Sequence, residues 1–225
     1  MTALPVVLRP ILKPVCRVAF RPEVHGRDLV PRTGPVILAI NHLSFLDSFV
    51  VPLLTPRRVS FLAKEEYFRD GGGPKQWLIR SFFTGTDAIP VPRGGHRAAQ
   101  EALEIALRVL KDGGAFGIHP EGSRSRDGRL YRGRTGVAWL AMASGAPVVP
   151  VAIRGTDRIQ PVGARFPRPG RVVVRFGEPL YFDAQPGVRP GPARRAATDQ
   201  IMAVIAEMSG QEVADEYNGL SAGAP

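Results

Sequence analysis

Cysteine is almost missing from this chain. Cys16 stands alone, which rules out an intrachain disulfide and a zinc site built from several thiolates, and a reducing compartment fits that usage. Long apolar runs are missing too. No stretch approaches the roughly 18 uninterrupted apolar residues of a membrane-spanning helix, and the start of the sequence lacks the basic, apolar and small-residue segments of a signal peptide. Negative charge is scarce, with 20 Asp and Glu against 30 Lys and Arg, so the net charge of +10 calls for an anionic partner. Nucleic acid, an anionic bilayer and a phosphorylated small molecule all meet that description. There is no zinc-finger, helix-turn-helix or aromatic RNA-binding signature, no Gly-x-Ser-x-Gly elbow for a serine hydrolase, and no repeat of fixed period.

Among the residues present, the first 21 form a basic, apolar segment. Arg9, Lys13, Arg17 and Arg21 recur every four residues among Val6, Leu8, Ile11, Val15 and Val18. Helical spacing places those cations along one side, suited to lipid phosphates while the apolar side meets acyl chains. Pro10 and Pro14 interrupt a continuous helix, so two short helices or an irregular arm packed on the core are the alternatives.

Beyond this arm, β-rich apolar runs alternate with helical patterns, the signal of an α/β sheet. Strands are predicted at Val36–Ile40, Val59–Ala63, Ala88–Val91, Ala115–Ile118, Val148–Ile153 and Val172–Phe176. Helices are predicted at Arg97–Lys111, Val137–Ala143 and Arg194–Met208. Pro- and Gly-rich stretches at Gly71–Pro74 and Gln185–Pro192 read as loops. Trp77, Leu78, Ile79, Phe82 and Phe83 form an apolar cluster suited to core packing or to acyl chains. The expected fold class is α/β: a single domain with a mixed, largely parallel sheet flanked by helices. It divides into an amphipathic arm at 1–21, one domain at 22–210 and a flexible tail at 211–225.

The chemistry starts where the first of these strands ends, in Asn41-His42-Leu43-Ser44-Phe45-Leu46-Asp47. A carboxylate five residues after a histidine, across a turn into a helix, can hold one imidazole nitrogen and leave the other as a base. A surface histidine beside a helix-capping aspartate has the same spacing. The second fragment is His119-Pro120-Glu121-Gly122-Ser123-Arg124-Ser125. It follows another predicted strand, and strand ends of such sheets share one ligand-binding edge. Gly122 permits a tight turn, Arg124 offers a planar fork for phosphate, and Glu121 can hold that arginine or a ligand hydroxyl. Arg124, Arg126, Arg129, Arg132 and Arg134 make a dense cationic run, suited to phosphates or simply solvated.

With these fragments in place, the sequence resembles the glycerolipid acyltransferases typified by 1-acyl-sn-glycerol-3-phosphate acyltransferase, from about residue 20 to residue 180. Asn41-His42 with Asp47 is similar to the family's catalytic block, Ile89-Pro90-Val91-Pro92-Arg93 to its second, Glu121 to Ser125 to its third, and Val148 to Ile153 to its fourth. His119, Pro92 and Ser123 depart from the usual pattern. The resemblance implies that His42 is the general base and Asp47 its orienter. It implies that Arg93, Glu121, Gly122, Ser123 and Arg124, assisted by Lys64, bind a phosphate-bearing acceptor. A backbone amide near the start of the helix after His42 is the expected oxyanion donor.

The reaction so implied moves a fatty acyl group from acyl-CoA or acyl carrier protein to a lysophospholipid hydroxyl, with no metal or prosthetic group. Lysophosphatidic acid is the expected acceptor, and glycerol 3-phosphate or another lysolipid is the alternative. The partners implied are the acceptor, the thioester donor and an anionic membrane surface, at the cytoplasmic face and held peripherally. Nucleic acid is not expected, and a basic nucleic-acid-binding protein is the rival class.

Overall fold

A computed structural model of the chain describes residues 13–68, 71, 73–85, 88–91, 96–164, 166–183 and 189–219. Residues 13–20 are helical (α1) and lead into β1 (Glu23–His25). There follow β2 (Val36–Ile40), α2 (Asp47–Leu54), β3 (Ser60–Lys64), α3 (Gly73–Gly85), β4 (Ile89–Val91), α4 (His96–Lys111), β5 (Ala115–Ile118) and β6 (Leu130–Tyr131). The chain continues through α5 (Gly136–Ser144), β7 (Val148–Arg154), α6 (Thr156–Ile159), β8 (Val173–Phe176), α7 (Pro190–Ser209) and β9 (Val213–Ala214).

Seven strands form one sheet in the order β1-β8-β7-β2-β5-β3-β4, and β6 pairs with β9 apart from it. From β7 to β4 every pairing is parallel; β8 runs antiparallel to β7, and β1 runs parallel to β8. The sheet is thus mixed and largely parallel. Its central strands end at a common edge, where Ile40, Lys64, Ile118 and Arg154 are the last strand residues. Because β8 reverses direction and β1 follows it, β1 starts at that same edge.

All five residues of β2 are buried, as expected of a strand covered on both faces. On one face Leu38, Ile40, Val149 and Val151 pack with Val50 and Val51 of α2. On the other, Ile37, Ala39 and Val148 pack with Ala106 and Leu110 of α4, Leu140 of α5, and Ile201 and Ile205 of α7. Each fully buried Leu or Ile contributes roughly 1.5–3 kcal/mol by leaving water. Gly117 of β5 has a packing reason: a Cβ there would lie 2.2 Å from the Phe61 ring. Cys16 is buried in the first of these cores, where burial raises its thiol pKa to about 11.

The predicted strands are all present, with ends shifted by no more than a residue. Gly73 and Pro74, expected in a loop, form the first turn of α3, where proline's missing N–H costs nothing. Pro190 to Pro192 likewise open α7, while residues 184–188 of that expected loop lie outside the described residues. The apolar cluster of α3 divides: Phe83 is buried, and Trp77 is 65% exposed. Within the expected flexible tail from 211, Val213 and Ala214 form β9 and pair with β6.

Candidate active site

Asp47 is the first residue of α2 and is fully buried. Its Oδ2 accepts the backbone N–H of Leu43 and of Ser44, each at 2.7 Å. The same oxygen lies 2.9 Å from Nδ1 of His42. An oxygen already accepting two N–H groups takes the imidazole hydrogen as a third, which fixes that hydrogen on Nδ1 and leaves the Nε2 lone pair free. Oδ1 of Asp47 is buried without a hydrogen-bond partner among the described residues. The His42 side chain is 16% exposed, so its ring reaches the open edge of the sheet while its partner does not.

The residue before His42 locks the end of β2 to β7. Asn41 accepts the N–H of Ile153 at 2.7 Å and donates to the Ile153 carbonyl at 2.9 Å, extending the strand pairing by one side chain. Its amide also donates to Gln211 at 2.7 Å.

The loop after β5 is joined to the same point on both sides. The His42 N–H donates to Glu121 Oε1 at 2.8 Å, and the Ser125 N–H donates to the His42 carbonyl at 2.8 Å. Glu121 Oε2 accepts the Tyr131 N–H at 3.0 Å. Glu121, expected to hold a ligand, is fully buried and has both oxygens engaged by backbone amides, so it braces the loop against β2 and β6. Burial raises its pKa to about 7, against the opposing pull of those two hydrogen bonds.

Gly122 has φ 78°, and a Cβ there would lie 2.8 Å from Nε of Arg134. Ser123 Oγ is buried without a partner among the described residues. Arg124 is exposed, and the backbone carbonyl of Arg124 accepts from Asn218 at 3.0 Å. Lys64 ends β3 at the same edge, opposite Val91, and its side chain is outside what the structure describes. Arg93 and Pro92 of the second block lie outside the described residues. The structure therefore brings His42, Asp47, Glu121, Gly122, Ser123 and Arg124 together, with the backbone of Lys64 on the same edge.

Of the expected oxyanion donors, the amides of Leu43 and Ser44 are taken by Asp47, and that of Asp47 donates to the Ser44 carbonyl at 3.1 Å. They are not available to a substrate.

The Acyltransferase family matches residues 21–154, a span containing every one of these site residues. The chain belongs to the acyltransferase family. The 1-acyl-sn-glycerol-3-phosphate acyltransferase of Limnanthes alba is 31% identical over 72% of this chain and 55% of its own length. A chloroplastic 1-acyl-sn-glycerol-3-phosphate acyltransferase of Brassica napus is 28% identical over 72% of this chain and 46% of its own. The enzyme of that name from Bacillus subtilis is 27% identical over 71% and 73%. The chain thus spans about half the length of the plant relatives. The crystal structure of the 1-acyl-sn-glycerophosphate acyltransferase PlsC from Thermotoga maritima shares the fold, with a TM-score of 0.65 at 23% identity over 92% of this chain and 82% of that one.

Some parts of this site had no local signal. Gln211 and Asn218 reach it from the C-terminal segment, and Ser48 from the first turn of α2. Arg132 and Arg134, read as members of a cationic run, lie over the Tyr217 ring at 5.5 Å each. Arg129 pairs with Asp127 at 2.7 Å.

Proposed function

We propose that the protein transfers a fatty acyl group from a thioester donor to the free hydroxyl of a lysophospholipid, with 1-acyl-sn-glycerol 3-phosphate as acceptor and phosphatidic acid as product. The observation that carries this reading is the His42–Asp47 pair, joined through the His42 peptide to the loop of Arg124. A base and an exposed phosphate-binding cation then share one rigid edge.

In this mechanism Nε2 of His42 removes the acceptor's hydroxyl proton as the oxygen attacks the thioester carbonyl. The Asp47 carboxylate offsets the charge of the imidazolium. The tetrahedral intermediate collapses by breaking the carbon–sulfur bond, and the thiolate takes the proton back from Nε2. General base catalysis typically contributes about 10²- to 10⁴-fold, and positioning of two substrates contributes more. Arg124, exposed at the loop tip, is placed to pair with the acceptor phosphate. A cavity of about 610 Å³ opens beside Leu43, lined by Arg154, Arg158 and Arg175 together with Glu23, Asp157 and Glu212, and offers room for a second substrate next to His42.

Support for a bilayer surface as the place of reaction comes from α1. Val15 and Val18 are 57% and 78% exposed on a helix that also carries Arg17, and Arg21 follows it. Residues 1–12 of the expected arm lie outside the described residues. Among the described residues, no helix is long and apolar enough to cross a membrane.

The test is transfer of labelled palmitate from palmitoyl-CoA, and in parallel from palmitoyl acyl carrier protein, to lysophosphatidic acid. Glycerol 3-phosphate is the competing acceptor. Labelled phosphatidic acid from the unmutated protein and none from His42→Ala supports the reading. Equal product from both proteins overturns it.

A further inference from the structure

His119 takes no part in the proton transfer just described, yet it covers His42 over a whole ring face. The ring centroids are 3.9 Å apart and the planes are inclined by only 12°. Both nitrogens of His119 are tied. Nδ1 lies 3.1 Å from the carbonyl of Ile40, and since a carbonyl can only accept, the ring hydrogen resides on Nδ1. Nε2 is then an acceptor, and the Ser48 hydroxyl donates to it at 3.3 Å. Ile40 ends β2 and Ser48 lies in the first turn of α2, so His119 bridges the two segments that carry His42 and Asp47.

The groups facing His119 are the His42 ring in contact and, beyond it, the Asp47 carboxylate. Burial first, and His42 second, push the His119 pKa down to about 3. That agrees with the tautomer required by its two hydrogen bonds.

We infer that His119 is a positioning residue for His42: its fixed ring is the platform on which the imidazole lies, keeping Nδ1 on Asp47 and leaving Nε2 free for the acceptor hydroxyl. A single hydrogen bond would leave the His42 ring free to rock about its bond to Asp47. The stacked face removes that freedom. The inference rests on the reading of His42 as the base.

Two variants separate this role from simple packing. His119→Phe keeps a flat ring but neither hydrogen bond, whereas His119→Ala removes the ring. Misplacement of a reacting group costs up to about 10²-fold in rate, so His119→Ala is expected to lower kcat about 10- to 100-fold with little change in KM. His119→Phe is expected to recover most of that loss. An unchanged kcat in His119→Ala, or His119→Phe as slow as His119→Ala, overturns the inference. A readout independent of catalysis is the His42 Cε1–H resonance, which stacking shifts upfield. It should move downfield in His119→Ala and far less in His119→Phe. If His119→Ala does not fold, the unmutated protein still decides: contacts between the two rings and a hydrogen on Nδ1 of His119 are expected by NMR. Absence of ring contacts, or a hydrogen on Nε2, refutes the stack. Should the unmutated protein transfer no acyl group, the proposed function fails by itself while the NMR result stands.

Discussion

The carboxyl group of Glu121 receives the backbone N–H of His42 at 2.8 Å, although the two residues lie 79 positions apart in the chain. His42 therefore holds Asp47 with its side chain and the loop of Arg124 with its backbone. Displacing either part displaces the other, and several measurable consequences depend on this linkage.

Removing either member of the His42–Asp47 pair should abolish turnover without unfolding the protein. His42→Ala is expected to reduce kcat by about 10³-fold or more, within the range set by general base catalysis together with lost positioning. Asp47→Asn should cost a comparable factor, because the N–H groups of Leu43 and Ser44 keep the amide oxygen toward Nδ1 but the negative charge that offsets the imidazolium is gone. The double variant should be little worse than His42→Ala, since the two act as a unit. Additive losses would show independent roles.

Arg124 stands exposed at the tip of the loop, so its loss should affect substrate capture rather than folding. A charge-assisted hydrogen bond is worth about 1.5–3 kcal/mol. Arg124→Ala should therefore reduce kcat/KM for a phosphate-bearing acceptor about 10- to 100-fold and leave the unfolding midpoint within a degree or two. Arg124→Lys, which keeps the charge but loses the planar fork, should fall between.

Glu121 and His119 make opposing contributions to the pH dependence of stability. With a pKa raised from 4.5 to about 7, Glu121 keeps in the folded chain a proton that the unfolded chain has released, so stability falls as pH rises through that window. With a pKa lowered from 6.5 to about 3, His119 lacks in the folded chain a proton that the unfolded chain binds, so stability rises with pH between those values. Each slope reaches about 1.4 kcal/mol per pH unit, and the two offset one another where the windows overlap. Urea unfolding across pH should show this in the variants. Relative to the unmutated protein, His119→Phe should lose stability as pH rises through the His119 window. Glu121→Gln should gain it as pH rises through the Glu121 window. Three parallel curves would contradict both assignments.

The C-terminal segment is expected to matter for activity despite contributing no reacting group. Gln211 accepts from Asn41 and donates to the Gly128 carbonyl, each at 2.7 Å, and Asn218 donates to the Arg124 carbonyl. Gln211→Ala should destabilise the fold by about 1 kcal/mol or somewhat more, since it leaves the buried Asn41 amide short of one acceptor. Deletion of residues 211–225 should lower kcat/KM by loosening the loop of Arg124. An activity equal to that of the full chain would show that the loop holds its shape unaided.

The central architecture was legible because its signals are local and redundant. Val36–Ile40 is an unbroken apolar run, and the structure makes it a strand with the same limits. In α4, Leu103, Ala106, Leu107 and Leu110 recur at helical spacing and do pack on the core. The strands that escaped notice are those whose existence depends on a distant partner. β1 has three residues and is held by β8; β6 and β9 have two each and are held by one another. The site followed the same division. His42 and Asp47 could be paired from their spacing in one turn. By contrast, the Asn41–Gln211 bond spans 170 positions. Glu121 was recognisable as part of the site, but its burial was not, since a carboxylate in a Gly- and Arg-rich loop reads as solvent-facing. The neutral state of His119 was equally hidden, because it depends on stacking and burial that no neighbouring residue announces.

The reversal of β8 settles where the chain enters the sheet. Had β8 run with its neighbour β7, and β1 with it, the chain would have entered the sheet on the side remote from His42. As built, α1 delivers the chain to the edge where His42 lies. The place where the chain enters the sheet is in that sense written into the direction of a four-residue strand.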